Sequence, residues 1–249
     1  MKKAIRITLI VLGGLLLLGI IGFVAWGLTP LGPTEEALTA MESDDVITVQ
    51  DDGGFVVFTP VAMTPITGFI FYPGGHVDYR SYAPIAREIA SRGYMVSIVE
   101  MPLSLAVFGV NNADEVISAY PEIRYWVIGG HSLGGSMAAN YAVGNPENVQ
   151  GIAFWASYPA SSDDLSSTDL KGLTTYGSND LVLGMENFNA TLPQLPPGTI
   201  LQVIEGGNHA QFGNYGPQPG DGTATISTAE QQSQAVDLMV QLFRAVEGE

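Results

Sequence analysis

Three residues of this 249-residue chain have the types and order needed for nucleophilic acyl chemistry: Ser132, Asp180 and His209. Ser132 lies in Gly130-His131-Ser132-Leu133-Gly134, between the apolar run Tyr125-Trp126-Val127-Ile128 and a small-residue stretch from Ser136 to Ala142. A G-x-S-x-G between a strand and a helix forms a tight turn that strains the serine backbone and exposes its Oγ. A serine hydroxyl is a weak nucleophile near neutral pH, so it needs a base, and the base needs an orienting acid. His209, in Glu205-Gly206-Gly207-Asn208-His209, follows the last strand-like run, and Asp180, in Tyr176-Gly177-Ser178-Asn179-Asp180, follows the run before it. In a parallel sheet the C-terminal ends of the strands share one edge, which lets the three side chains converge. Asp180 also suits the N-cap of a turn. Asp163, Asp164 and Asp169 are rival acids, expected to stay solvated in a Ser-rich loop, as is Glu205 at a strand end.

A tetrahedral intermediate needs backbone donors aimed at its oxyanion. Leu133 N–H is placed for one. The second is expected from Tyr72-Pro73-Gly74-Gly75-His76, with Gly75 preferred and Gly74 and His76 as neighbours that donate or bind substrate. His76 is read as ordering this loop or lining a pocket, and His131 as pointing away from substrate. The loop Gln211–Gly222 is long and rich in Gly, Pro and amides, and such loops are often functional. Phe212 and Tyr215 are its candidate pocket wall, a rigid cover being the other reading. The chain has no cysteine, and His76, His131 and His209 are too dispersed for a zinc cluster, so no metal and no cofactor are expected. Asp221-Gly222-Thr223 lacks the carboxylate density of a calcium loop.

These residues need an alternating strand and helix scaffold, and the hydropathy pattern supplies one. Val46–Val49 and Phe55–Phe58 flank the turn Asp51-Asp52-Gly53-Gly54, a hairpin signal. Further strands are expected at Gly68–Tyr72, Met95–Val99, the run before Ser132, Gly151–Trp155, Leu173–Tyr176 and Ile200–Ile204. Helical spacing marks Tyr82–Ser91, Ala113–Tyr120, the segment after Ser132 and Thr228–Val246, with a short helix near Thr34–Met41. The pattern predicts an α/β fold with about eight strands in a mainly parallel sheet. Only 17 residues separate Trp155 from Leu173, which leaves no space for a large lid.

The N-terminus combines Lys2, Lys3 and Arg6 with an uncharged stretch from Ile7 to Leu28, about the length that crosses a bilayer core. The positive-inside rule places the remainder outside the cytoplasm. A cleavable signal peptide, followed by secretion, is the competing reading, but its apolar region is usually shorter and Val24-Ala25-Trp26-Gly27 fits a cleavage site poorly. The expected organisation is a membrane anchor over 1–28, a linker over 29–45 and one catalytic domain over 46–249. Beyond the anchor the chain carries 6 basic and 25 acidic residues, a formal charge of −19 (6 − 25). Such a surface repels nucleic acid, which is excluded as a partner. The sequence does not determine the oligomeric state.

From Gly68 to Phe243, about 70% of the chain, the sequence resembles the α/β-hydrolase superfamily. The stretch Phe71–Pro102 is similar to the small lidless branch that includes dienelactone-hydrolase-like serine esterases. Tyr72-Pro73-Gly74-Gly75 stands where many relatives carry His-Gly-Gly, Tyr82-Ala83-Pro84-Ile85-Ala86 resembles their following helix, and Gly207-Asn208-His209 their histidine loop. Proline replaces the usual histidine before the oxyanion glycine, and the nucleophile is serine where dienelactone hydrolases carry cysteine. The resemblance implies hydrolysis of a small-molecule carboxylic ester through an acyl-enzyme. Amidase, thioesterase or acyltransferase chemistry on the same residues, or a catalytically silent binding module, are the alternatives.

Overall fold

The computed structural model describes residues 2–248. Strands β1 (Ile47–Asp51) and β2 (Phe55–Pro60) form the expected antiparallel hairpin. β2 pairs antiparallel with β4 (Met95–Val99), and β4 pairs parallel with β3 (Thr67–Tyr72). From β3 the sheet continues in parallel through β5 (Tyr125–His131), β6 (Gly151–Trp155), β7 (Lys171–Gly177) and β8 (Ile200–Ile204). The eight-stranded order is β1-β2-β4-β3-β5-β6-β7-β8. β3, β4 and β6 are buried along their whole length, which is why they read as continuous apolar runs rather than alternating ones.

The chain moves from β3 to β4 on one side and then returns to place β5 on the other. The loops after β3 and β5 therefore leave the same edge side by side, at the point where the strand order reverses. Helices cover both faces. α3 (Ala83–Ser91) and α7 (Thr228–Glu247) pack one core with Phe69, Phe71 and Trp155. α4 (Ala113–Ala119) and α5 (Leu133–Gly144) pack the other with Ile70, Ile128 and Phe154. A capping box joins Ser227 and Glu230 at the start of α7, and Gly248 ends it at φ 85°. A short helix, α6 (Met185–Thr191), lies between β7 and β8 where no helix was expected, because a seven-residue segment shows too little periodicity.

At the N-terminus, α1 (Lys2–Gly27) contains a 23-residue apolar segment, Ile5–Gly27, long enough to cross a membrane and exposed over most of its length. Several residues of the stretch expected to be a linker are fastened to the domain. Leu31 pairs with Val77, Thr34 N–H donates to Asn214 O, and Ala37 of α2 (Glu35–Thr39) is buried. Arg87 on α3 closes the seam, reaching the Ala40 and Glu42 carbonyls and the Asp44 carboxylate. The two prolines stop the helix, but they do not free the chain.

Candidate active site

Ser132 occupies the turn between β5 and α5 with φ 52° and ψ −123°, a conformation that costs a non-glycine residue roughly 1–3 kcal/mol. The surrounding backbone holds it there: Ser132 N–H donates to Trp155 O at 2.9 Å, and Ser157 Oγ donates to Ser132 O at 2.6 Å. Neighbouring backbone dictates the two flanking glycines. A Cβ at Gly130 would lie 2.3 Å from Tyr72 O, and one at Gly134 would lie 2.0 Å from that oxygen and 2.4 Å from Pro73 O. Any side chain there would drive α5 off the strand that positions it.

Asp180 and His209 meet. His209 Nδ1 lies 2.8 Å from Asp180 Oδ2, with both side chains almost fully buried. Asp180 performs two tasks with its two oxygens, since Oδ1 accepts from Val182 N–H at 2.8 Å and Leu183 N–H at 2.7 Å. The turn-capping and histidine-orienting readings thus both hold. The register Gly177–Ile204 between β7 and β8 explains the meeting, because it starts both loops at one level. Asp221 then ties them together: it accepts from Leu181 N–H on one loop and from His209 N–H and Ala210 N–H on the other. Buried Gln231 of α7 brackets Asn208 from behind, accepting from its N–H and donating to its C=O.

The His209 ring lies 4.5 Å, centroid to centroid, from that of His131, the residue before Ser132. The imidazole and the strained turn are thus side by side. Among the described residues, Ser132 Oγ makes no hydrogen bond, so the serine and His209 are adjacent but not bonded. His131 itself is buried, and that burial, with the charge of His209 second, holds its imidazole well below the ordinary value. Its Nδ1 lies 2.9 Å from Tyr82 Oη, which in turn accepts from Gly74 N–H at 3.0 Å. Tyr82 Oη therefore bridges the Gly74 N–H and the neutral His131 ring.

This relay sorts the candidate donors in the loop after β3. Gly74 N–H is taken by Tyr82, and His76 N–H by Ser104 O at 2.8 Å. Gly75 N–H has no partner among the described residues. Leu133 N–H, in the first turn of α5, has no intrahelical acceptor. A Cβ built on Gly75 would lie 3.0 Å from Leu133 Cδ2 and 3.4 Å from Leu133 Cβ, so the two loops touch at these two residues.

Other expectations need correction. Phe212 is fully buried, stacked on Trp155 and beside His131, and Tyr215 packs against Tyr82 and His131. Both belong to the core beneath the site and not to a pocket wall. His76 orders its loop by stacking on Trp26 at 4.0 Å. Asp163 is buried and accepts from Asn140 and Ser162, whereas Asp164, Asp169 and Glu205 are exposed. Sequence reasoning missed Tyr82, Asp221 and Gln231. Asp221 carried a usable signal as the lone carboxylate of a loop rich in Gly, Pro and amides. Nothing local marks Tyr82 or Gln231. Among the described residues no three metal-ligating side chains gather.

The arrangement sets the Asp180–His209 pair beside the strained turn of Ser132, and among the described residues the nearby Gly75 and Leu133 N–H groups have no acceptor. A family model described as "Alpha/beta hydrolase family" matches residues 68–233. No curated protein matches the chain. Among solved structures, a predicted CIB-like hydrolase from Thermoplasma acidophilum is similar at 20% identity and TM-score 0.55, over 78% of this chain and 98% of that one. The alpha/beta hydrolase enzyme MGS-MChE2, from a lagoon-sediment metagenome, aligns at 17% identity and TM-score 0.60, over 80% and 99%. A dienelactone hydrolase from Anabaena variabilis aligns at 17% and 0.57, over 80% and 97%. At these identities the solved structures establish the shared fold.

Proposed function

Because the chain belongs to the alpha/beta hydrolase family, we propose that this hydrolase cleaves carboxylic esters with Ser132 as nucleophile, His209 as general base and Asp180 as the acid that orients it. The observation that carries the reading is the buried 2.8 Å contact between Asp180 Oδ2 and His209 Nδ1, beside a serine held at positive φ. Asp180 accepts a hydrogen bond from Nδ1–H and remains a carboxylate, which leaves the Nε2 lone pair for the Ser132 hydroxyl. The serine oxygen attacks the acyl carbon while His209 takes its proton. Leu133 and Gly75 N–H groups bind the developing oxyanion. The imidazolium then protonates the departing alkoxide, and a water activated by His209 releases the acid. Catalytic hydrogen bonds in unliganded sites are often long and tighten when substrate arrives, which accommodates the unbonded serine.

The N-terminal helix is read as an uncleaved anchor, with the catalytic domain on the non-cytoplasmic side. Its basic start supports the orientation. Its last turn supports retention: Trp26 stacks on His76, and the Trp26 carbonyl lies 2.8 Å from His76 Nε2. A peptide destined for removal has no reason to be built into the domain.

The test is Ser132→Ala. Hydrolysis of a short-chain nitrophenyl ester and labelling by a fluorophosphonate should both vanish, a fall of at least about 10⁴-fold, with thermal unfolding nearly unchanged. Turnover that persists in this variant removes the serine from its role.

A further inference from the structure

The end of α1 is attached to the same loops that border the candidate oxyanion site. Trp26 lies flat on His76, with ring planes 11° apart. Gly27 O accepts from Ser104 Oγ at 3.3 Å, and Gly27 comes so near Leu103 that a Cβ there would sit 2.8 Å from Leu103 Cβ. Just beyond, Leu31 N–H donates to His76 O and Asp78 N–H donates back to Leu31 O. One turn further into the apolar helix, Phe23 meets Phe108 edge to face, with centroids 6.2 Å apart. Phe108 belongs to the segment Met101–Val110, which carries no charge in a domain of formal charge −19. Leu105 of that segment stands within 3.7 Å of where a Gly75 Cβ would be. Phe108 N–H donates to Leu105 O at 3.1 Å, so contacts run from the apolar helix through Phe108 and Leu105 to the backbone beside Gly75.

A 23-residue apolar helix rises roughly 35 Å at ~1.5 Å per residue, slightly more than the ~30 Å hydrocarbon core. With the helix centred in that core, Phe23, four residues before Gly27, lies roughly 4 Å inside the acyl-chain region, and Phe108, its contact, lies close to that depth. Phe108 and Val107 are 53% and 45% exposed, and Leu28, at the helix end, is 68% exposed. In water these apolar faces are uncovered, whereas at the bilayer boundary lipid covers them.

Resting on the anchored-esterase reading above, we propose that the catalytic rim faces the membrane and that the substrate is an uncharged long-chain acyl ester entering from the bilayer past Phe108 and Leu105. The acidic domain disfavours anionic headgroups near the site, which selects for an uncharged ester. Because substrate comes from the lipid side, the bilayer itself covers the site. That agrees with the lack of chain for a lid between Trp155 and Leu173.

The chain lacks cysteine, so one introduced thiol reports one position. Full-length Phe108→Cys and Val61→Cys, the latter in the loop between β2 and β3 at the opposite edge of the sheet, are labelled with a nitrobenzoxadiazole fluorophore. Both are placed in phosphatidylcholine nanodiscs containing doxyl-labelled lipid. Strong quenching at 108 and little at 61 is expected. Absence of quenching at 108, equal quenching at both, or a blue shift at 108 that follows protein density overturns the orientation. A second arm compares a methylumbelliferyl oleate held in the bilayer with the water-soluble butyrate. In Val107→Asp/Phe108→Asp the oleate-to-butyrate rate ratio should fall about tenfold, and an unchanged ratio overturns the entry route. A wild-type chain that hydrolyses neither ester while position 108 is quenched refutes the esterase reading, and with it the substrate, but leaves the orientation standing.

Discussion

Replacing Tyr82 by Phe isolates one hydroxyl that joins the two loops of the site. The ring is fully buried and packs on Phe71 at 4.7 Å and His131 at 5.9 Å, so Phe preserves the packing. What is lost is the acceptor for Gly74 N–H at 3.0 Å and the partner of His131 Nδ1 at 2.9 Å. A buried polar group without a partner costs roughly 1–3 kcal/mol. Two such groups, less the relief of no longer burying a hydroxyl, give a loss of about 2–4 kcal/mol. At about 2–4 °C per kcal/mol for a domain of this size, Tm should fall by roughly 5–15 °C. Catalysis should suffer separately. With Gly74 released, the neighbouring Gly75 N–H is no longer held in aim, and weakening one oxyanion donor should lower kcat by about 10- to 100-fold with a smaller change in KM. Calorimetry and nitrophenyl ester kinetics on the same preparation read both effects. A Tm within about 2 °C of wild type refutes the stability reasoning, and a lowered Tm with unchanged kcat refutes the role given to the loop.

Asp180→Asn keeps the acceptor for Val182 and Leu183 but offers His209 the wrong partner, so kcat should drop by about 10³- to 10⁴-fold with stability changed little, as pre-steady-state acylation would show. Gly134→Ala places a Cβ against two carbonyl oxygens of fixed backbone, and should cost more than about 3 kcal/mol or abolish soluble expression. Asp221→Ala frees both the Asp180 and His209 loops; kcat should fall while the Ser132 fluorophosphonate adduct still forms slowly, a contrast measurable by labelling rate. His131 is neutral when folded, its pKa held below the ordinary 6.5, so the unfolded chain binds the extra proton. Its stabilising contribution is therefore complete above about pH 6.5 and is lost as pH falls, at up to ~1.4 kcal/mol per pH unit. Urea midpoints at pH 7.5 and 5.5 should converge in His131→Gln relative to wild type.

Local sequence was enough for whatever depends on neighbours along the chain. The strand-to-helix turn at Ser132 is legible because backbone packing forbids side chains at Gly130 and Gly134, and that constraint is written in five consecutive residues. The strands read clearly because burial on both faces demands unbroken apolar runs, and the N-terminal helix because its apolar residues run on for more than twenty positions. The order Ser132, Asp180, His209 named the candidate residues through the strand ends they follow. Only the tertiary structure could decide how they are supported, since those partners are remote in sequence. Tyr82 reaches Gly74 and His131 across 8 and 49 residues, and Asp221 joins loops 40 and 12 residues away. The same holds for Phe212 and Tyr215: a loop rich in Gly and Pro reads as surface until the aromatic cluster beneath it is assembled. Composition marked residues 29–45 as a linker, because prolines end a helix but say nothing of what the following backbone pairs with. That pairing, Leu31 with Val77 beside Trp26 on His76, exists only once β3 and its loop are in place.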